Sequence, residues 1–97
     1  MAINYIDYDV LEQGKNVYSQ KAQELQSLLG ELVRMNGQLS QGWQNDTARA
    51  FVDRFDRDHK RAIEKVVDAL NEISTYICQY AANRSDEDSQ GAGALSK

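Results

Sequence analysis

Apolar residues recur at intervals of seven along the first half of the chain. From Leu11 to Leu39 an apolar side chain occupies every seventh position, and a second series is interleaved with the first. A seven-residue repeat keeps one stripe of an α-helix facing a neighbouring helix. The pattern predicts a helix over about residues 7–41. Its predicted seam, in the core of the hairpin or at the interface of a dimer, comprises Leu11, Tyr18, Leu25, Leu28, Leu32, Met35 and Leu39.

Two positions interrupt this first seam. Lys21 lies where an apolar residue is expected, and Gly14 lowers helix stability by about 1 kcal/mol relative to alanine. Ala22, Leu29 and Val33 widen the apolar stripe beyond what one neighbouring helix requires. The first helix is therefore expected to contact more than one other helix.

The second half of the chain carries a similar repeat. Its pattern predicts a second helix over about residues 47–83, in one continuous register. Ile63, Leu70 and Ile77 flank the predicted seam of this helix and widen its stripe as well. That seam comprises Phe51, Phe55, Ala62, Val66, Ile73 and Tyr76, with His59 and Tyr80 in the same heptad pattern.

The helical periodicity stops between the two repeats, at residues 42–46. Gly42 adopts the left-handed backbone region without steric cost, and Asn45 is among the few other residues that tolerate it. Asn45, Asp46 or Thr47 is suited to cap the second helix. These features predict a tight interhelical turn.

Trp43 lies at the tip of this turn. A bulky aromatic side chain in that place either packs into the groove between the helices or stays exposed as a recognition surface. The sequence favours neither alternative.

Two helices of matched length with a short connection predict an all-α fold, an antiparallel two-helix hairpin. A lone hairpin of this size buries little apolar surface, and both stripes are broader than two helices require. We expect residues 1–84 to form the hairpin and residues 85–97 to form a flexible C-terminal tail. Pairing with a second copy or a related hairpin would complete a four-helix bundle.

Composition and charge exclude several classes of function. The chain has 97 residues, no proline and a net charge of -4, which is the wrong sign for sequence-independent attraction to nucleic acid. No apolar run approaches the roughly 20 residues of a membrane-spanning helix. Residues 1–9 lack the basic start and apolar core of a cleaved signal peptide.

Residues suited to catalysis or metal binding are sparse. His59 has no second histidine at ligand spacing, and no nucleophile is paired with a base. Cys78 is either a small helix residue or an exposed thiol that pairs between chains. We therefore predict no catalytic site, no metal and no cofactor.

A chain of about 100 residues with two long helices, a central tryptophan turn and a polar tail resembles the WXG100 (early secreted antigen-like) family. The family motif is Trp-x-Gly, and Trp43-Gln44-Asn45 has asparagine in the glycine position. The resemblance implies a homodimer or heterodimer with a four-helix core. It also implies export of the folded dimer from the cytoplasm by a type VII secretion system, without a cleaved signal.

The resemblance also implies an export signal, Tyr-x-x-x-Asp/Glu, after the second helix. Neither Tyr76 nor Tyr80 is followed by an acidic residue at the fourth position. A degenerate signal made of Tyr80, Asp86 and Glu87 is one interpretation, and a signal supplied by a partner chain is the other.

Two functions are consistent with these features. The first is a small non-enzymatic protein of a type VII system, exported as a dimer or bound to a larger secreted effector. In that case the secretion ATPase is a further partner. The alternative is a cytosolic immunity or adaptor hairpin that binds a toxin and remains inside the cell.

Overall fold

The computed structural model describes the backbone of residues 5–96 and the side chains of residues 5–84. The chain forms one long hairpin, so the predicted all-α antiparallel fold is confirmed. Its first arm is a single helix that packs along the last helix of the second arm. The elements are α1 (Tyr8–Gly42), α2 (Asp46–Arg54), a π turn (Phe55–His59) and α3 (Lys60–Ser96).

The hairpin is a rod that encloses very little. It measures 76 × 21 × 21 Å, and its radius of gyration is 21.9 Å. A compact domain of this length has a radius of gyration of about 13 Å. Stability from burial within one hairpin is therefore limited. The buried apolar side chains among the described residues are Ala22, Leu29, Ala48, Phe55 and Val67.

Helix α1 begins where a short acidic side chain can cap it. The carboxylate of Asp7 accepts hydrogen bonds from the backbone N–H groups of Asp9, at 3.0 Å, and Val10, at 3.2 Å. These donors have no partner inside the helix, so the cap stabilises its first turn. Asp7 is thus the cap, and Asp9 adds a favourable charge at the positive end of the helix dipole.

A single π turn interrupts the second arm. The backbone N–H of Lys60 donates to the carbonyl of Phe55, five residues earlier instead of four. Phe55 is 8% exposed, and its ring centroid lies 6.4 Å from that of His59. The π turn inserts one extra residue into the helix at the point where Phe55 enters the core.

The continuous register predicted for the second helix is therefore wrong beyond the π turn. Val67 and Ser74 are buried against α1, whereas Val66 and Ile73, which the repeat placed in the seam, are exposed. Each inward position comes one residue later than the repeat predicts. The cause is the extra residue in the π turn, because one residue corresponds to a rotation of about 100° around a helix.

Ser74 joins the two arms directly. Its hydroxyl donates to the backbone carbonyl of Lys15 across the hairpin, at 2.9 Å. Ser74 is only 9% exposed, so this hydrogen bond gives its buried hydroxyl a partner. At the neighbouring Gly14, a methyl group would lie 3.8 Å from Cδ1 of Ile77, an ordinary contact distance. The close packing of the arms therefore does not depend on glycine at that position.

Helix α3 continues to Ser96, beyond the end near residue 83 that the loss of apolar periodicity suggested. Backbone hydrogen bonding does not require an apolar face, and this segment contains no proline to interrupt it. The side chains of residues 85–97 lie outside the described part of the chain. The flexible tail stays a prediction.

Candidate partner-binding surface

The interhelical turn consists of residues 43–45, between α1 and α2. Trp43, with φ -141° and ψ 94°, ends the first helix, and Asn45, with φ -156° and ψ 179°, precedes the second. No residue in the described part of the chain has a positive φ. Gly42 and Asn45, which both tolerate the left-handed region, therefore do not use it, and Gly42 is the last residue of α1.

Asn45, one of the three candidates in the sequence, is the cap of α2. Its side-chain oxygen accepts a hydrogen bond of 2.8 Å from the backbone N–H of Ala48. The extended backbone of Asn45 is the usual conformation of a capping residue, in which asparagine is among the best residues and glycine is only slightly worse. Capping explains why asparagine can replace glycine in a Trp-x-Gly turn.

Replacing Asn45 with alanine is expected to remove about 1 kcal/mol of stability, because the N–H of Ala48 loses its acceptor. Thermal unfolding followed by circular dichroism at fixed protein concentration should show a midpoint roughly 4–8 °C lower. Asn45→Gly should cost only a few tenths of that energy. Gln44→Ala is the control, and an unchanged midpoint for Asn45→Ala would show that the cap adds nothing.

Trp43 combines the two roles that the sequence left open. Its ring packs against Phe51, with centroids 5.9 Å apart and planes tilted by 47°, and the residue is still 36% exposed. It also lines a shallow groove with Ala48 and Val52. Together, Trp43 and Phe51 form a half-exposed aromatic pair at the tip of the hairpin.

A long stripe of large apolar side chains remains exposed on each arm. The outward residues of α3 recur every seven positions, at Val66, Ile73 and Tyr80. Exposed apolar area of this extent is unusual on a monomer and indicates a site of interaction. We call this surface the open face. It comprises Val10, Val17, Leu28, Leu32, Met35, Phe51, Val66, Ile73, Tyr76 and Tyr80.

The stripes of both arms lie on the same side of the hairpin. Exposed Leu28 comes immediately before buried Leu29 on α1, and exposed Val66 comes immediately before buried Val67 on α3. Both stripes are thus rotated from the inward positions by about 100° in the same sense. The arms of an antiparallel hairpin are related by a twofold axis perpendicular to the plane that contains both arms. This axis exchanges the arms but not the two sides of the plane, so equal rotations turn both stripes to the same side.

A groove confirms that the two stripes meet. Val10 of α1 and Tyr80 of α3 line the same surface depression, near the end of the hairpin opposite the turn. The reverse side of the hairpin is different, because charged and amide side chains surround its groove. That groove is lined by Gln26, Leu29, Gly30, Val33, Lys60, Glu64, Val67 and Asp68.

The predicted seam residues divide between the inside of the hairpin and its exposed surface. Sequence reasoning missed Ser74, although a serine inside an apolar stripe could have indicated a hydrogen bond between helices. Tyr80 lies on the open face, and the side chains of Asp86 and Glu87 lie outside the described residues. Phe55 is buried; Leu11, Leu25 and Leu39 are half-buried; Tyr18, Leu28, Leu32, Met35, Phe51, Ala62, Val66, Ile73 and Tyr76 are exposed.

Titratable groups are dispersed along the rod. His59 and Cys78 are both exposed and lie on different turns. The described residues contain no group of three or more histidine, cysteine, aspartate or glutamate side chains placed to hold a metal ion. The Lys15 ammonium donates to the carboxylate of Glu12 at 2.8 Å, and this hydrogen bond raises the pKa of Lys15 above its usual value. Lys15 therefore stays positively charged at the seam between the arms.

An elongated helical hairpin with a tryptophan turn and one open apolar face is the architecture of a partner-binding protein. The chain belongs to the WXG100 family, described as proteins of 100 residues with WXG, whose model matches residues 5–89. No curated protein and no solved structure shows a significant match. Proteins of this family are small helical secretion proteins that typically pair as dimers, and membership suggests a type VII secretion substrate.

No helix within the described residues is long and apolar enough to cross a membrane.

Proposed function

We propose that this protein is a non-enzymatic component of a type VII secretion system that pairs through its open face before export. The observation that carries the proposal is the row of exposed apolar side chains on one side of the hairpin, from Val10 to Met35 on the first arm and from Phe51 to Tyr80 on the second. A second helical hairpin laid on this stripe would complete a four-helix bundle. The pair would leave the cytoplasm folded, without a cleaved signal peptide.

The energetics of the hairpin support pairing. Among the described residues of one hairpin few apolar side chains are buried, and two of them, Ala22 and Ala48, contribute little apolar area. Burying a large apolar side chain contributes about 1.5–3 kcal/mol. Covering Leu28, Met35 and Ile73 in a bundle would therefore add more stability than the hairpin gains by itself from its two buried alanines.

The two ends of the rod suggest how the pair meets its larger partners. The aromatic pair Trp43 and Phe51 lies at the turn, and the Tyr80 segment lies near the opposite end. We propose that a larger secreted effector or the secretion ATPase binds at one of these ends. Tyr80 with Asp86 and Glu87 stays the candidate export signal, and a partner chain is the other source of that signal.

Export is tested in the source strain, with and without a working ATPase of its type VII system. We expect the protein in the culture medium only when the ATPase is active, and a cytosolic marker confined to the cells in both strains. A protein that stays inside the cells of both strains would contradict the proposal. That result would instead favour the cytosolic immunity or adaptor hairpin.

A further inference from the structure

Two opposite charges lie among the apolar residues of the open face. Lys21 follows Val17 by four residues and precedes Leu28 by seven, whereas Glu24 follows Val17 by seven and precedes Leu28 by four. Residues spaced by four or seven share one side of a helix. Both charges therefore lie on the side of α1 that carries exposed Val17 and Leu28, and a partner that covers the open face covers them as well.

The hairpin satisfies these two charges only in part. Nζ of Lys21 donates to Oε2 of Glu24 at 3.0 Å, and the two side chains are 60% and 52% exposed. The other oxygen of Glu24 accepts from Nε2 of Gln20 at 3.4 Å. An ammonium has three donors and each carboxylate oxygen accepts more than one hydrogen bond, so water serves the remaining sites. A partner that displaces this water has to supply an acid and a base.

A second copy supplies both if its α1 lies antiparallel to that of the first. A twofold axis between residues 22 and 23 places Lys21 of each copy opposite Glu24 of the other, because both residues are equally far from the axis. Glu31, seven residues after Glu24, then lies opposite Gly14, which has no side chain to crowd the carboxylate. The two copies thus exchange reciprocal ion pairs at the centre of their interface.

The apolar residues of α1 agree with this axis. Val17 lies as far from the axis as Leu28 does, and Val10 as far as Met35. All four are exposed members of the open face. Each of them therefore meets another apolar side chain when the charges are paired.

Contacts across the hairpin give the level of the same axis on the second arm. Ser74 lies level with Lys15, because its hydroxyl donates to that residue's carbonyl, and Ile77 lies level with Gly14. The two arms run in opposite directions and rise equally per residue. The axis is therefore level with about residues 67 and 68 of α3.

Turning α3 about this level also gives complementary contacts. Val66 lies opposite Ala69 of the other copy, and Ile73 lies opposite Ala62, so each large exposed side chain meets a small one. Alternation of large and small residues across facing positions lets two helices interdigitate. One axis therefore matches both arms.

The opposite arrangement, with both turns at the same end, loses the charge pairing. It would place α1 of each copy against α3 of the other, with Lys21 opposite Ala69 and Glu24 opposite Val66. Each charge would then face an apolar side chain. Charge complementarity therefore favours the head-to-tail arrangement.

We propose that Lys21 and Glu24 make the open face self-complementary: the partner is a second copy of this chain, and two reciprocal ion pairs between Lys21 and Glu24 fix its register. Complementary charges across an interface set register and suppress wrong pairings. The inference rests on the proposed function, because it requires the open face to be the pairing surface.

The first test exchanges the two charges and measures association by sedimentation equilibrium. Lys21→Glu and Glu24→Lys should each weaken self-association at least about tenfold, because like charges then face each other twice. An equimolar mixture of the two variants should associate about as tightly as the unaltered protein, since every facing pair is again opposite in charge. A variant that merely damages its own hairpin would not be rescued by mixing.

Lys60→Glu and Glu64→Lys are the matched controls, because both residues line the groove on the reverse side of the hairpin. Each control should associate as the unaltered protein does. Unchanged affinity for Lys21→Glu, or a mixture no tighter than the single variants, would overturn the proposal. An unaltered chain that stays monomeric would overturn it too, and would indicate a different chain as the occupant.

The second test traps the register with disulfides, in chains that also carry Cys78→Ser. Val17→Cys and Leu28→Cys are combined in one chain, where the two positions lie about 16 Å apart along α1, too far for a bridge within one copy. Mild oxidation should give covalent dimers on non-reducing electrophoresis. Val17→Cys with Val33→Cys is the control, since Val33 lines the reverse groove. Equal dimer yields from the two pairs would contradict the register.

These outcomes are distinguishable from a failure of the pairing function itself. If the open face is not the pairing surface, Ile73→Asp will leave association of the unaltered chain unchanged. If only the charge pairing is mistaken, Ile73→Asp will still abolish association, whereas Lys21→Glu will not weaken it. The export test does not depend on which chain is the partner.

Discussion

Replacing Ile73 with aspartate is expected to abolish assembly and to leave each hairpin helical. Ile73 is 39% exposed on the open face, so in the single hairpin the new carboxylate remains in water. In the assembly it would be buried without a partner, at a cost of about 3–5 kcal/mol. That cost raises the dissociation constant by more than about 100-fold. Light scattering gives the mass of the assembly, and circular dichroism gives the helix content.

The control for this prediction is Asn71→Asp, which adds the same carboxylate two residues earlier on α3. Asn71 lines a polar depression with Asp68, Glu72 and Thr75, away from the open face. Its variant should assemble as the unaltered protein does. If Ile73→Asp also assembled normally, the pairing surface would have to lie elsewhere on the rod.

Deleting Asp56 is expected to preserve the hairpin, although a deletion inside a long helix normally destroys its packing. Asp56 lies in the π turn, where the second arm contains one residue more than a regular helix needs. Without it the turn can close as ordinary α-helix, and Val67 and Ser74 keep their inward positions. Helix content and the midpoint of thermal unfolding should stay close to those of the unaltered protein.

Deletion of Asp68 is the matched control, because it removes the same residue type from regular helix. Every later residue would rotate by about 100°, so Asn71 and Thr75 would replace Leu70 and Ser74 at the inward positions. Leu70 and Ile77 are half-buried, so their loss from the contact with α1 should cost less than the roughly 1.5–3 kcal/mol of a fully buried side chain, about 1 kcal/mol for each. If the two deletions were equally damaging, the π turn would not be a removable insertion.

The heptad pattern predicted the two arms and the turn because it reports which residues share a face of a helix. The first helix was predicted over about residues 7–41, and α1 spans Tyr8–Gly42, with Asp7 as its cap. The second arm was misread by one position beyond Phe55. A π turn leaves no mark on hydrophobic periodicity when residues on both sides of the true seam are apolar, as Val66 and Val67 are.

The turn shows a different limit of the sequence. Its location followed from the loss of periodicity, but its conformation stayed open, because Asn45 tolerates left-handed backbone and is also one of three candidate caps. Asparagine also has a strong preference for capping, and that preference operates here. The sequence alone does not decide whether Asn45 adopts left-handed backbone or caps the helix, because the path of the chain into α2 selects one of these two conformations.

The small enclosed core has a consequence for the abundance of the protein. A rod with few buried apolar side chains among its described residues opens locally at low free-energy cost, and transiently opened segments are what proteases cleave. Copies without a partner should therefore be degraded faster than paired copies. Turnover would then remove unpaired copies and keep nearly all of the remaining chain paired.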